Sequence, residues 1–458
     1  MFEKFVELLS EKRFSDLRAM LADINAMDLA PIFDELDAEQ RVLLFRLLPK
    51  ELAAETFVEM DGDCQQALIK SFSDKELKAV IDELYLDDAV DIIEEMPAGV
   101  VKRILRQSDS ETRKAINELL NYPKDSAGSI MTPEFVDLKR DMTVDDAVNH
   151  IRKTGIDKET VYTCYVTGPD RKLEGIVTVK DLLLADPNDK ISNIMETHVI
   201  YAGTLDDKED VAKIFNKYDF LALPVVDKEN RLVGIVTVDD AMDVIEDENT
   251  EDIEKMAAII PNDRPYLKTG VFETFKKRVP WLMILMVSAT FTGAIISSFE
   301  DKLKSIVVLT SFIPMLMDTG GNSGSQAAVT VIRGLSLDEI HLRDIFKVLF
   351  KELRVGLVCG LTLGVVNFVK ILLVDYLLLG TFSGYGFPAV CMISATVCFT
   401  MALTIVVAKL VGCTLPILAE ALRFDPAVMA SPFITTIVDA ISLLIYFGAT
   451  NVFLGALM

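Results

Sequence analysis

Five apolar stretches, at roughly 280–299, 306–331, 355–377, 388–411 and 432–454, occupy the second half of this chain. A bilayer's hydrocarbon core is about 30 Å thick and needs about 20 such residues per helix. Inside it every backbone polar group must be satisfied by the protein, so these segments have to be helices that span. Several carry glycine, proline or a lone acid, so none is a featureless anchor. Lys276, Lys277 and Arg278 precede the first span, and Arg333, Arg343, Lys347, Lys351 and Arg354 fill the second-to-third connection. The first-to-second connection has only Lys302 and Lys304, and no base lies between Asp375 and Pro388. The positive-inside preference then predicts a five-span protein of the cell (inner) membrane, N-terminus cytoplasmic and C-terminus outside.

The remainder is strongly acidic. Residues 1–255 hold 57 Asp and Glu against 31 Lys and Arg, whereas residues 256–458 are nearly balanced at 13 against 15. Such a block disfavours nucleic acid and anionic membrane surfaces as partners and favours cations, although a merely solvated surface has the same composition. The six cysteines show no paired spacing, so neither a disulfide framework nor a zinc motif is expected. The opening MFEKFVELLSEKRF reads as an amphipathic helix, not a signal peptide, which keeps the acidic part in the cytosol. Three histidines, no phosphate loop and no nucleophile–base pairing argue against an enzyme.

Two kinds of repeat organise the acidic part. FDEL at 33–36, FVEM at 57–60 and IDEL at 81–84 recur every 24 residues, with apolar residues at helical spacing between them, which predicts an all-α superhelical domain over 1–125. GIVTVKD at 175–181 and GIVTVDD at 234–240 match in six of seven positions, 59 residues apart, each after a strand-like run. This resembles a tandem pair of α/β CBS domains over 126–250. In that family the Gly-hydrophobic-hydrophobic-Thr-x-x-Asp turn can bind a nucleotide, Thr on phosphate and Asp on ribose. Here those residues are Thr178 with Asp181 and Thr237 with Asp240, making ATP a candidate ligand. The alternative is a pair that binds no nucleotide and serves as a hinge.

Within the spans, Asp439 is an acid with no base nearby, in PFITTIVDAISLLIYF. A mid-membrane ionisable group is costly unless it faces a partner or a wet passage, so it is a functional candidate. The second span carries Gly320, Gly321 and Gly324 beside Asn322, Ser323, Ser325 and Gln326. Glycines allow close helix approach, and with Asp439 they suggest a narrow polar passage. Oxygen ligands suit hard cations, and Mg²⁺ is served by one or two carboxylates while it keeps its waters; oxygen chemistry alone leaves Mn²⁺, Co²⁺ and Ca²⁺ open.

The Gly320-Gly321-Asn322-x-Gly324-x-Gln326 run and SPFITTIVDAISLLIY make the chain similar to the MgtE magnesium channels over nearly its whole length. The resemblance implies a multidomain membrane protein: helical N-domain (1–125), CBS pair (126–250), connecting plug helix (251–279) and a five-span pore domain (280–458). It implies a homodimer with its pore at the subunit interface, where Asp439 of both chains coordinates hydrated Mg²⁺ near the main-chain carbonyls of Gly321 and Ser431. Asp318 is a departure, standing where many relatives have a small residue, and adds a second candidate acid; Ser431 replaces a common Asn.

Acids crowd the start of the connecting helix, including Asp239, Asp240, Asp243, Glu248 and Glu251. Facing acids are expected from Asp87, Asp88 and Asp91 of the helical domain and from Asp207, Glu209, Asp210 and Asp219 of the second CBS copy. Divalent ions would turn repulsion among them into bridging, so high cytosolic Mg²⁺ is expected to lock these parts and close the pore, the sense in which the family is regulated. Chloride channels and CorC-like transporters place their spans before the CBS pair, and this chain places them after. The remaining alternative is an ion-coupled secondary transporter for divalent cations.

Overall fold

The computed structural model describes all residues except Met1, Ala22, Asp263, Pro265, Ala430 and 455–458, together with all but eight side chains: Phe2, Glu3, Val6, Ser10, Asp301, Lys302, Ser305 and Ser431. Two units emerge, Met1–Glu246 and Asp247–Met458.

The first unit begins with ten short helices, α1–α10: Phe2–Ser10, Phe14–Leu21, Ala26–Glu35, Ala38–Phe45, Lys50–Val58, Gly62–Ser71, Asp74–Ile81, Leu86–Glu95, Ala98–Gln107 and Ser110–Leu119. From α3 onward a new helix starts every 12 residues, so the 24-residue sequence period is a pair of helices. Capping sets the rhythm: the side chains of Asn25, Asp37, Asp61, Ser73 and Asp109 accept hydrogen bonds from the first-turn amides, while Pro49 and Pro97 occupy equivalent positions. Alternate helices pack together, α3 on α5, α5 on α7 and α7 on α9. Phe33, Phe45 and Phe57, each 12 residues apart, meet edge to face at 6.2 and 6.1 Å, and Phe72 closes on Phe45 at 5.1 Å. All four are buried, and each contributes about 1.5–3 kcal/mol of transfer free energy.

The two α/β modules follow. The first comprises β1 (Asp137–Leu138), α11 (Val144–Thr154), β2 (Thr163–Thr167), β3 (Leu173–Thr178), α12 (Val179–Leu184) and α13 (Ile191–Ile194). The second comprises β4 (Ala202–Gly203), α14 (Lys208–Tyr218), β5 (Ala222–Val226), β6 (Leu232–Thr237) and α15 (Val238–Met256). Both sheets have the order parallel then antiparallel, and the 59-residue offset holds to the register: Val166 faces Gly175, and Val225 faces Gly234. Glycine is required at both places because the other module's entry strand crosses there. A Cβ on Gly175 would lie 2.8 Å from the Glu196 carbonyl oxygen, and one on Gly234 2.9 Å from that of Thr132.

The second unit holds α16 (Val271–Ser298), α17 (Glu300–Ser305), α18 (Ile313–Ser336), α19 (Ile345–Lys370), α20 (Phe387–Ala421) and α21 (Ser431–Phe453). Among the described residues four helical stretches are long and apolar enough to cross a membrane: Val271–Ser298, Leu342–Leu378, Phe387–Ala421 and Pro426–Phe453. The fifth expected span, at 306–331, is not among them. The stretch at 306–331 becomes a 3₁₀ turn, Val307–Phe312, followed by α18, whose polar residues lower its apolar content. At 24 residues α18 is still about 36 Å long, and it packs between α20 and α21. Its crossing with α20 is backbone on backbone: a Cβ on Gly412 would stand 2.2 Å from the Gly324 carbonyl oxygen.

Candidate metal centres

Three elements of the first unit converge on one patch of acid. The first turn of α8 supplies Asp87 and Asp88, with Asp91 one turn on, and the start of α15 supplies Asp239, Asp240 and Asp243. Glu159, in the loop before β2, joins them, with Glu134 beside it. Two carboxylate oxygens, Asp87 Oδ1 and Glu159 Oε2, are buried without a hydrogen-bond partner. The Leu86 amide donates to Glu134 Oε2 at 3.0 Å, tying the helical domain to the CBS pair at this point.

Loss of hydration is the largest cause acting on these carboxyls, and the neighbouring acids add to it. Asp87, Asp88 and Asp240 are pushed up to about 7 and Glu159 to about 8. Asp91 and Glu59 are raised as well, each by lost hydration and then by facing acids of α15, although both keep solvent-open side chains. Among the described residues no three acids, histidines or cysteines close on a single point in metal-ligand geometry. The patch's unpartnered carboxylate oxygens are the kind that an ion keeping its water shell takes one or two of directly, which is the habit of Mg²⁺.

The other acids expected to face α15 are engaged elsewhere. Asp207 caps α14 by accepting from the Glu209 amide at 2.9 Å. Glu209 and Asp210 pair with Lys213 at 2.8 and 3.6 Å, and Asp219 adopts the left-handed conformation that ends α14. Further along α15, past Glu248, Glu251 forms an ion pair with Lys255. Glu59, Glu134 and Glu159 were not singled out from the sequence. No local pattern marks them, because only the docking of the helical domain on the CBS pair assembles them with α8 and α15.

Both Thr-x-x-Asp turns are helix-start boxes. Thr178 Oγ1 donates to Asp181 Oδ2 at 2.5 Å, and the Asp181 amide returns a bond to Thr178 Oγ1 at 3.2 Å. Thr237 and Asp240 make the equivalent contact at the start of α15. The two sites differ in surroundings: Asp240 lies among the acids of α8, whereas Thr178 and Asp181 have exposed Lys180 between them. A cavity of about 490 Å³ lies between Arg171, Lys172, Glu229 and Arg231 at the hairpin tips of the CBS pair, and neither box lines it.

In the second unit, Asp439 sits midway along α21 and feels the charge of Asp318 on α18. Asn322 Nδ2 donates to Asp318 Oδ1 at 3.1 Å, one turn along α18. The glycines serve packing. A Cβ on Gly320 would touch Ser442 Oγ and Thr404 Cγ2 at 2.8 Å, and one on Gly321 would meet Thr435 Cγ2 at 2.9 Å. Gly321 lies inside α18, so its carbonyl is committed to the helix and has one lone pair left for an ion. Ser431 opens α21, and its side chain lies outside the described residues. The hydroxyls of Ser394 and Thr404 are buried in the bundle without partners.

Three family models match the chain: the divalent cation transporter MgtE over residues 313–449, the MgtE intracellular N domain over 24–125, and the CBS domain over 127–188 and 191–247. A protein described as magnesium transporter MgtE of Thermus thermophilus is 37% identical over 454 residues, 98% of either chain. Its counterpart from Bacillus subtilis is 32% identical over 458 residues, covering 99% of this chain and 97% of the relative. Among solved structures, the cytosolic domain of the Mg²⁺ channel MgtE in complex with ATP aligns with a TM-score of 0.51 and 38% identity, over 53% of this chain and 100% of that one. The soluble part of a magnesium transporter aligns equally well, at 0.51 and 31% identity, over 54% and 97%.

Proposed function

The chain belongs to the MgtE family of magnesium transporters, and from that premise we propose a Mg²⁺-conducting homodimer that cytosolic Mg²⁺ closes. It is a membrane transporter and not an enzyme. Asp439 is the pore ligand: it is an acid in an apolar helix, half-buried against a helix of glycines, amide and hydroxyl groups. An aqueous Mg²⁺ dehydrates reluctantly, so Asp439 of each protomer binds it through its water shell, with the free lone pairs near Gly321 and Ser431 completing the ring. Asp318, within electrostatic reach of Asp439, raises the negative charge of that ring. The N-terminus and the acidic unit face the cytosol, and the C-terminus faces out.

The observation that carries the gating is the meeting of α8 and α15 across buried carboxylate oxygens that have no donor. Without divalent ions the acids repel and the helical domain is held less firmly. Mg²⁺ bridges Asp87, Asp88, Asp91, Asp239, Asp240, Asp243 and Glu159 and draws the parts together, and α15 carries the change toward the spans. ATP fits the first CBS copy, at Thr178 and Asp181, because the acids around Asp240 exclude a polyphosphate from the second.

The test is Mg²⁺ entry into proteoliposomes with a trapped indicator, for wild type and Asp439→Ala. Wild type is expected to conduct at low Mg²⁺ on the cytosolic side and to close as that concentration rises, and the variant to lose flux or selectivity. An Asp439→Ala protein that conducts like wild type would refute the pore assignment.

A further inference from the structure

Asp425 splits its two carboxylate oxygens between two elements. Oδ1 accepts from the Ala427 amide at 2.7 Å and so caps the short turn Pro426–Met429 that leads into α21. Oδ2 lies 2.6 Å from Lys255 Nζ, at the far end of α15. Lys255 is the only base in the 19 residues of α15, which carry nine acids. Its side chain is 23% exposed and that of Asp425 33%, so the pair is partly shielded from water and salt. A lysine in the last helical turn is also where the helix dipole holds a cation best, and Glu251, one turn back, keeps it charged and oriented.

The neighbouring residue fixes the same end by packing. Met256 rests on the cluster formed by Ala328 and Ile332 of α18, Ala408 of α20, Ala427, and Ile434 and Val438 of α21. Beyond it the chain turns at Ala258, and Lys277 Nζ holds the return by donating to Asn262 Oδ1 at 2.8 Å. The end of α15 is therefore fastened by charge to Asp425, which caps the turn leading into α21, and by packing to a cluster that includes Val438, the residue before Asp439. From the start of α21 to Asp439 is eight residues, about 12 Å along a straight helix.

We propose that the Lys255–Asp425 ion pair is the joint through which α15 holds the N-terminal end of α21, which makes Asp425 a positioning residue for the helix that carries Asp439. The inference rests on the Mg²⁺-gated reading given above. With the joint intact, displacement of α15 moves the cap of α21; with it broken, α15 can move while α21 stays. The capping and pairing roles of Asp425 are separable, since Asn at 425 keeps an acceptor for the Ala427 amide and discards the charge.

The experiment uses the full chain in proteoliposomes and reads the cytosolic Mg²⁺ concentration that halves the flux, for wild type, Lys255→Gln, Lys255→Arg and Asp425→Asn. Lys255→Gln and Asp425→Asn should conduct at low Mg²⁺ and need about fivefold or more Mg²⁺ to close. Lys255→Arg should stay near wild type. If both neutral variants close at the wild-type concentration, the joint is overturned and the gated reading stands. If Asp425→Asn fails to conduct at any concentration while Lys255→Gln behaves as wild type, the charge of Asp425 acts apart from Lys255 and the joint is again overturned. If wild type itself shows no closure by Mg²⁺, the gated reading falls and the joint falls with it.

Discussion

Replacing Asp87 by Asn removes one charge from the acid patch while keeping the shape of the side chain. In the folded unit this carboxyl is pushed from 3.8 to about 7, first by lost hydration and then by Asp88 and Glu134. Three units at about 1.4 kcal/mol each set an upper figure of ~4 kcal/mol for holding Asp87 ionised, and relaxation reduces it to roughly 2–4. A carboxyl whose pKa is higher folded than unfolded binds more protons when folded, so its contribution to stability falls as pH rises. The contribution is complete below about pH 4 and is lost as pH passes through 7. Wild type in EDTA should thus hold its helical domain on the CBS pair more firmly at pH 6 than at pH 8, and Mg²⁺ should restore the hold at pH 8. Limited proteolysis of the full chain reads this, since a 2 kcal/mol change alters the open fraction about 30-fold. Asp87→Asn should be cleaved tenfold or more slowly than wild type in EDTA at pH 8, with little pH dependence left to this group. Equal cleavage of the two proteins under that condition would refute the argument, because it would mean that the charge of Asp87 costs the fold nothing.

Gly412→Ala should weaken the α18–α20 crossing, since its new Cβ falls 2.2 Å from a carbonyl oxygen, and a drop of several degrees in the melting temperature in detergent checks it. Phe45→Ala takes the central ring out of the aromatic ladder and should cost about 3–5 kcal/mol, read as a lowered unfolding midpoint of the acidic unit. Titration calorimetry with ATP should show binding to wild type and to Thr237→Val, and its loss in Thr178→Val; equal heats in all three would remove the first CBS copy as the site. Asp318→Asn should leave Mg²⁺ flux measurable while lowering the preference for divalent over monovalent cations in the same vesicles.

Local chemistry made much of the fold readable in advance. The 24-residue period and the 59-residue offset survive to the helix starts and the strand register, because caps, apolar spacing and glycine at a crossing are short-range requirements. The 306–331 stretch reads as a span in the sequence, yet α18 carries polar residues that keep it out of the four helical stretches apolar enough to cross a membrane. Its Asp318, Asn322 and Gln326 are exposed in the chain while its glycines meet α20 and α21, and that division of faces is written in no single segment. The acid patch was half legible. Asp87, Asp88, Asp91 and Asp240 stand in dense acidic runs, whereas Glu59 and Glu159 stand in ordinary loops and helix ends and acquire meaning only when folded. Asp207, Glu209 and Asp210 look equally acidic in sequence, yet caps and lysine pairs absorb them.

The two CBS copies show how a duplicated fold acquires one-sided chemistry. Register, crossing glycine and Thr-x-x-Asp box are the same in both, so each box is first a device that starts a helix. What differs is the neighbour. The first box opens α12, six residues long; the second opens α15, and α8 presses Asp87 and Asp88 toward it. An acid that only capped a helix would be held ionised by its donors, as Asp146 is at the start of α11, where the Thr143 hydroxyl and then the Thr143 amide hold its carboxyl below the ordinary range. Asp240 makes the same kind of contacts and is nevertheless driven up to about 7, because lost hydration and Asp87 outweigh the cap. The two carboxylates share a local motif and differ in direction, and the docked helical domain, through Asp87, is part of what separates them. On the gating proposed above, a cation that bridges α8 to α15 would release the strain on Asp240.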